Sequence, residues 1–324
     1  MNIIEIQKTF STDKKCLDYL EKLRWAKSVT CTKCQSKDVI RLKSQQGRFH
    51  CYDCKTTFSV ISDTIFEHTR LPLPKWFVII GLMLNAKRGI SANHIMRDVG
   101  LSYKTAWYAA MRVRCGMIDN CNILENIVEM DETYVGGKPR KKYAEGDEYT
   151  TISRVTDKRG RGTKKTPIVG IVERNGNIVL KVVQKLTAKN LLTMLKENVQ
   201  TDNSIVVTDE FKSYIGFDKI VQHYTINHSK KEWVKGAMHT NTIEGFWSIV
   251  KGSIKGNYIV LSKKYLPFYL VQAQYVFNYR NYKGNIFEKY LKEALQHDNP
   301  MEYYKPLKPV NRIVYSKCKT GGGK

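Results

Sequence analysis

Two cysteine pairs constrain the fold of this chain more than any other feature of its sequence. Cys31 and Cys34 form one C-x-x-C pair, and Cys51 and Cys54 form a second, with sixteen residues between the pairs. Each pair can direct two thiolates at one ion from a tight turn, and two such turns complete a tetrahedral site with no open position for water. A disulfide pair and a redox C-x-x-C are alternatives, although a redox motif needs no matching second pair. The spacing predicts a zinc ribbon with one structural Zn²⁺.

Basic residues are abundant in the ribbon and throughout the chain. The segment between the cysteine pairs reads as a short hairpin, and its Arg41 and Arg48 are candidate nucleic-acid contacts. Over the whole chain, 54 Lys and Arg against 30 Asp and Glu give a net charge of +24. Such an excess predicts a polyanionic partner.

An anionic membrane surface would also attract this charge. The longest apolar run, residues 76–84, is much shorter than the roughly 20 residues of a membrane-spanning helix. The N-terminus carries polar and acidic residues where a signal peptide has its apolar region. We therefore expect no membrane partner and a reducing, cytoplasmic location.

A helical pattern follows the ribbon over residues 61–122. Two helical segments flank Gly100, and Ser102 is placed to cap the second one. This punctuation is typical of a helix-turn-helix, in which Tyr103 and Lys104 would open a recognition helix that faces DNA. A plain helical hairpin is the alternative, which the pattern does not exclude.

Strand-like runs begin at residue 123, and their order with the helical stretches is β, β-hairpin, α, β, α. The Asn-Gly-Asn sequence at residues 175–177 predicts the hairpin turn. Asp131 and Asp209 each end a strand-like run. A helix rich in aromatic residues, after residue 262, is expected to close on this sheet.

A later helical stretch, HTNTIEGFWSIVKG at residues 239–252, carries Asn241, Glu244 and Lys251 in one polar row, which Lys255 continues. Taken alone, the row is the solvated face of a surface helix. Asp131, Asp209 and Glu244 together, from two strands and a helix, can converge on a pair of divalent cations, as phosphodiester chemistry requires.

These motifs resemble the D-D-E/N insertion-sequence transposases with an N-terminal zinc ribbon, a bacterial group related to the Merlin elements. The resemblance covers most of the chain and rests on the ribbon, on VEMDETYVGGK around Asp131, on VVTDEFKSY around Asp209, and on NHSKKEWVKGAMHTNTIEGFWSIVKG. It implies an RNase H-like domain in which Asp131, Asp209 and a third ligand hold two Mg²⁺ or Mn²⁺ ions. It also implies double-stranded DNA as the partner, namely terminal inverted repeats and target DNA. A dimer or larger assembly on DNA, in the nucleoid of a prokaryote, is implied as well.

The third metal ligand has two candidates. Ligand chemistry favours Glu244, because a carboxylate neutralises a divalent ion better than an amide oxygen does. The resemblance points to Asn241, because some members of the group use an asparagine there. Lys251 would hold a phosphate or a terminal base, or else be an ordinary surface lysine, and Lys255 and His239 are further candidate DNA contacts. Glu132 is set aside, since neighbouring side chains of a strand face away from each other.

The sequence thus predicts an α/β multidomain protein. The expected parts are an N-terminal helical segment (1–28), a zinc ribbon (29–60), a helix-turn-helix-like domain (61–122), an RNase H-like mixed-sheet domain (123–295) and a basic tail (296–324). The expected function is that of a transposase, which hydrolyses the phosphodiester at the element ends and joins the 3′-OH to target DNA by two-metal-ion catalysis. A DNA-binding regulator without catalysis and an RNase H-like nuclease that cuts without joining are the alternatives.

Overall fold

The computed structural model describes residues 1–118, 123–136, 165–226 and 238–296. It divides into two compact units, of which the first comprises Met1–Asn120 with Phe268–Lys324 and the second Cys121–Pro267. The basic tail predicted from residue 296 lies, from residue 297 on, outside the described residues. No helix within the described ranges has the length and apolar character that crossing a membrane requires.

The first unit contains helices with a shared core and a small three-stranded sheet with a core of its own. Its elements are α1 (Ile3–Thr9), α2 (Asp13–Arg24), β1 (Val39–Arg41), β2 (Arg48–Cys51), β3 (Thr57–Ser59), α3 (Leu73–Asn85), α4 (Ala92–Val99), α5 (Tyr103–Gly116), α8 (Leu266–Asn278, which begins at the unit boundary) and α9 (Ile286–Gln296). The three strands pair antiparallel in the order β1-β2-β3. Gly47 sits in the β1–β2 turn at a φ of 68°, where a residue with a side chain would be strained. The predicted hairpin is confirmed.

The turn between α4 and α5 has the helix end and the helix cap that the sequence predicts. Gly100 ends α4 in the left-handed conformation, and the Ser102 hydroxyl accepts a hydrogen bond from the backbone N–H of Thr105 at 3.2 Å. The N-cap prediction is confirmed, because a serine oxygen satisfies one of the unpaired N–H groups at the start of α5.

The aromatic helix after residue 262 contributes to the core of the first unit. Tyr275 of α8 and Phe287 and Tyr290 of α9 belong to the buried core of α3, α4 and α5. The Tyr290 hydroxyl donates to the carbonyl oxygen of Val113 at 3.0 Å. Apolar spacing shows that a helix is buried but not against what, and the expectation that this helix closes on the larger sheet stays a prediction. The domain boundaries given above stay predictions.

The second unit is built on a five-stranded sheet. Its elements are β4 (Leu124–Val135), β5 (Thr166–Glu173), β6 (Ile178–Val182), α6 (Ala188–Asn198), β7 (Val199–Asp209), β8 (Gln222–Ile226) and α7 (Asn241–Ser253). The strand order is β6-β5-β4-β7-β8; β4, β5 and β6 pair antiparallel, whereas β7 and β8 pair parallel to β4. This is the mixed-sheet order of an RNase H-like fold, as predicted. Asn175 turns the predicted hairpin at a φ of 59°, and β8 is a strand that the sequence analysis did not predict.

Two helices cover opposite faces of this sheet. Leu191, Met194 and Leu195 of α6 pack against Val169 and Ile171, which face one side. Gly170 lies between them in β5 and faces the other side, where a Cβ would come within 2.7 Å of the Trp247 ring and 2.9 Å of Ile243. The missing side chain at Gly170 therefore allows α7 to lie close to the sheet.

Candidate active site

The four ribbon cysteines converge as a zinc site requires. The sulfur atoms of Cys31 and Cys54 are 3.6 Å apart, as are those of Cys34 and Cys51, and all four lie within 4.8 Å of one another. A tetrahedron with Zn–S bonds of about 2.3 Å has edges of roughly 3.8 Å. The arrangement therefore fits one structural Zn²⁺.

A second cluster of possible ligands lies in the larger sheet. Carboxylate oxygens of Asp131, Glu132 and Asp209 lie within 4.8 Å of one another. Asp131 and Glu132 belong to β4, and Asp209 is the last residue of β7. The structure thus brings together the two aspartates that the sequence singled out, and it adds Glu132.

The end of one strand explains the cluster. The register between β4 and β7 runs as far as the pairing of Glu129 with Val207, while β4 continues to Val135. Asp131 is therefore not at a strand end, contrary to the sequence analysis. Beyond the ladder, side chains from both faces of β4 can approach Asp209. Glu132 therefore lies near the two aspartates, contrary to the expectation that its side chain faces away from them, and its absence from the catalytic residues stays a prediction.

The Glu132 carboxylate also accepts a hydrogen bond from a buried tyrosine. The buried Tyr214 hydroxyl donates a hydrogen bond to Oε2 of Glu132 at 2.9 Å. Burial, with the negative charges of Glu132, Asp131 and Asp209, raises the pKa of Tyr214 well above its usual value, so the phenol stays a donor. This bond fixes the carboxylate near the two aspartates.

The cluster concentrates negative charge. Two carboxylates about 4.8 Å apart repel each other by roughly 3 kcal/mol at an effective dielectric constant of 20. Burial, and then the charges of Glu132 and Asp209, raise the pKa of Asp131 to about 7. The group must therefore hold a proton or a cation near neutral pH. Oxygen ligands that carry excess negative charge are the donor set that Mg²⁺ and Mn²⁺ prefer, so the residues fit a divalent ion.

Two neighbours orient the aspartates. The indole N–H of Trp247 in α7 donates to Oδ2 of Asp131 at 3.0 Å, and the backbone N–H of Phe211 donates to Oδ1 of Asp209 at 3.0 Å. Trp247 was not among the site residues predicted from the sequence. Its ring links that helix to the acidic cluster.

A buried acid holds the start of α7. Glu129 has no exposed surface, and its Oε2 accepts hydrogen bonds from the backbone N–H groups of Thr242 and Ile243 at 2.9 and 3.0 Å. Its Oε1 accepts from the Thr242 hydroxyl at 2.9 Å. Thr240, the residue before the helix, makes no side-chain cap bond. A carboxylate from the sheet thus caps α7 and stabilises the positive end of its dipole.

Glu129 is paired with a cation. Nε of Arg174 donates to Oε1 of Glu129 at 2.8 Å, and Nη2 of Arg174 donates to the carbonyl oxygen of His239 at 2.9 Å. Nδ1 of His239 lies 3.4 Å from Oε1 of Glu129. The cluster of Glu129, Arg174 and His239 was not predicted from the sequence. An acid at an inward position of a central strand was the available signal, because a buried charge requires partners.

The candidates for the third ligand lie in the first turn of α7. Asn241 and Glu244 are both exposed, and Oε1 of Glu244 accepts from the Thr240 hydroxyl at 2.7 Å. Glu244 lies outside the group formed by Asp131, Glu132 and Asp209. Which of the two residues completes the site stays a prediction.

The predicted DNA contacts are spread over both units. Most are exposed, at the start of α5, in the ribbon, or on α7 and the turn after it: Tyr103, Lys104, Arg41, Arg48, Lys251 and Lys255. The Arg41 guanidinium is also bonded to Glu21, with Nη1 3.2 Å from Oε1. His239 is half-buried beside Glu129. DNA contact by all seven residues stays a prediction.

Two family descriptions match the sequence. Residues 123–278 match the ISXO2-like transposase domain, and residues 11–57 match the transposase zinc-ribbon domain. An uncharacterized protein in transposable element ISH50 of Halobacterium salinarum is 29% identical over 297 residues, which cover 89% of this chain and 96% of that protein. A transposase-like protein of Haemophilus influenzae is 31% identical over 106 residues, which cover 32% of this chain and 84% of that protein.

Similar solved structures include complexes of the Mos1 transposase. The Mos1 strand transfer complex is 13% identical with a TM-score of 0.28, and the match covers 74% of this chain and 79% of that one. The Mos1 mariner paired end complex with Mn is 14% identical with a TM-score of 0.28, covering 72% and 78%. The fold assignment rests on the strand order described above.

Proposed function

Because the chain belongs to the insertion-sequence transposases that carry an ISXO2-like transposase domain and a transposase zinc ribbon, we propose that it cuts DNA at the ends of its element and joins the freed 3′-OH to target DNA. The observation that carries this proposal is the meeting of Asp131 and Asp209, with Glu132, at the edge of the sheet where β7 ends. A regulator that only binds DNA has no use for three close carboxylates on a basic protein, since they repel phosphates.

Each residue of the site has a task in this reaction. Divalent cations such as Mg²⁺ or Mn²⁺ would supply charge neutralisation at the phosphate and activation of the attacking oxygen when bound. Asp131 and Asp209 would hold them, oriented by the Trp247 indole and the Phe211 N–H. Asp131 would give up its proton as a cation binds, because the cation replaces the neighbouring repulsion with attraction.

The first turn of α7 would complete the site. Glu129 fixes this turn against the sheet, and the turn carries both Asn241 and Glu244. Glu244→Gln and Asn241→Ala, compared at several Mg²⁺ concentrations, identify the ligand by the variant that needs more Mg²⁺. Equal and mild effects of both variants would remove both residues from the metal.

The remaining basic surfaces would bind double-stranded DNA. The ribbon and the start of α5 are suited to the terminal inverted repeats, and Lys251 and Lys255 to phosphates near the cut. Two ends must be brought together before joining, so we propose a dimer or a larger assembly on DNA. The chain would act on the DNA of a prokaryotic nucleoid.

The proposal is tested by incubating the protein with labelled terminal-repeat DNA, a target plasmid and Mg²⁺. Asp131→Ala and Asp209→Ala should each lower cleavage and joining by about a thousandfold, because cation stabilisation of the phosphate contributes several kcal/mol. Asp202→Ala, which removes an exposed acid from the same strand β7, is the matched control and should change the rate less than about twofold. Cleavage that survives both active-site substitutions would sink the proposal. Cleavage without joined product would support a nuclease instead.

A further inference from the structure

The chain leaves α7 through a strained turn that exposes two apolar side chains. The helix continues as a π-helical turn, Ile254–Tyr258, and the next residue, Ile259, has a φ of 61°. Its ψ is −59°, and the Val260 N–H donates to the Tyr258 carbonyl oxygen at 2.6 Å, so Ile259 is the central residue of a γ-turn with positive φ, a rare and strained conformation. Ile259 is 76% exposed, and Val260 is 77% exposed.

Folding of the turn does not explain this choice of residues. Gly256 and Asn257 come just before it, and both residue types tolerate a positive φ at little cost. The position with positive φ falls nevertheless on Ile259, most of whose side chain is exposed. Single exposed apolar residues are ordinary, but two adjacent ones on a strained backbone are characteristic of a binding element.

The surroundings of the pair are basic. Lys255, Lys263 and Lys264 are exposed, and no Asp or Glu occurs in the sequence from residue 245 to residue 287. Phosphates complement this charge, whereas a second copy of a chain that carries a net charge of +24 does not. The chemistry therefore favours DNA as the occupant, with phosphates on the lysines and an apolar surface between them.

We propose that Ile259 and Val260 form an apolar wedge that enters the minor groove of the element-end DNA and unstacks a base step. The inference rests on the proposed function, because it assigns a further contact with the same DNA. Unstacking would loosen the duplex beside the cut and let one strand approach the acidic cluster.

The length of the helix limits the distance between the apolar wedge and the reacting phosphate. Ile259 follows Glu244 by fifteen residues, and a helical rise of about 1.5 Å per residue gives at most about 22 Å. At about 3.4 Å per base pair, this distance corresponds to about seven base pairs. The unstacked step should thus lie within that distance of the scissile phosphate.

Permanganate oxidation of thymines in the bound complex tests the wedge. The probe is an end-labelled duplex of the inverted repeat that flanks the gene, bound to the full-length, zinc-loaded protein. Ile259→Asn removes the apolar group, and asparagine adopts a positive φ more often than most residues do. Ile215→Asn is the matched control, because Ile215 is 74% exposed in another turn of the same unit.

The wild type and Ile215→Asn should show hyperreactive thymines within about seven base pairs of the cut. Ile259→Asn and Val260→Asn should lower this reactivity at least about fivefold. Because both variants distort the DNA less, they should also cleave it more slowly. A mismatch placed at the reactive step should restore their cleavage, since that step is then already unstacked. If the turn had only a structural role, the mismatch would not restore cleavage by the variants.

Equal permanganate patterns in the wild type and both wedge variants would overturn the inference. The variants could instead lose self-association in sedimentation while their permanganate pattern stays unchanged. That result would assign Ile259 and Val260 to a contact between copies of the protein, and it would also overturn the inference. A wild-type protein that binds the duplex and distorts it without cutting it would contradict the transposase proposal alone. The absence of any binding would overturn both.

Discussion

The substitution Glu129→Gln should loosen the helix that faces the acidic cluster. The buried carboxylate accepts two backbone N–H groups of α7, the Thr242 hydroxyl and Nε of Arg174. A glutamine amide keeps one oxygen only, so its NH₂ group must face groups that are themselves donors. The variant therefore loses a charge and turns part of the cap into a repulsive contact.

The expected loss of stability follows from these contacts. Removing one partner of a buried ion pair costs about 3–5 kcal/mol, since the other charge is left unpaired. The Arg174 side chain is 16% exposed, which places the pair at the lower end of that range. The weakened cap and helix-dipole contact adds roughly 1 kcal/mol. We expect α7 to be destabilised by about 4 kcal/mol, or roughly a thousandfold in its opening equilibrium.

Amide hydrogen exchange is the suitable assay, because it reads α7 separately from the other unit, whereas global unfolding of two units is not two-state. Glu125→Gln, at an exposed position of the same strand β4, is the matched control and should stay within about 0.5 kcal/mol of the wild type. Adding Arg174→Met to Glu129→Gln should recover part of the loss, because it removes the unpaired guanidinium. Protection of α7 amides in Glu129→Gln within about 1 kcal/mol of the wild type would refute the reasoning.

Three further outcomes follow from the packing, the zinc site and the charge of the cluster. Gly170→Ala should destabilise the sheet unit by about 1–3 kcal/mol in urea denaturation, because a Cβ would come within 2.7 Å of the Trp247 ring; an unchanged midpoint would contradict the close approach. Chelation of zinc should abolish amide protection in the ribbon, whose own core holds little besides Phe49, Phe58 and the cysteines, and retained protection would mean that the metal is dispensable. Asp131 has a folded-state pKa of about 7. It therefore binds a proton that the unfolded chain releases, and the metal-free protein should lose thermal stability as pH rises from about 5 to about 8. Mg²⁺ should raise the melting temperature more at the higher pH, and Asp131→Asn should remove both dependences, an outcome that calorimetry at the two pH values checks.

Local signals in the sequence predicted much of this architecture. The cysteine spacing, the Ser102 cap, the Asn175 turn and the helix beginning at Asn241 each depend on a few neighbouring residues. Such features are determined by backbone conformation and capping, which short stretches of sequence encode. The same holds for the two aspartates, which the sequence showed as acids at the ends of apolar runs.

Contacts between distant segments were not predictable in the same way. Glu129 binds α7 across 113 residues of sequence, and Trp247 bonds to Asp131 across 116. The approach of Glu132 to Asp209 depends on where the β4–β7 ladder stops, which strand alternation alone does not reveal. The place of Tyr275 in the helical core was not predicted, because an apolar stripe fits any apolar surface of suitable shape.

The contribution of α8 and α9 to the helical core has a consequence for synthesis of the protein. Tyr275, Phe287 and Tyr290 complete that core, but the whole sheet unit is translated before them. At about 5–20 residues per second, the first helices wait roughly 7 to 30 s for these side chains. A product that terminates early would lack Phe287, whose ring centroid lies 5.5 Å from that of Phe77, and would become a substrate for chaperones and proteases. Truncated copies of the gene should therefore yield little stable protein that could compete with the full-length chain for DNA.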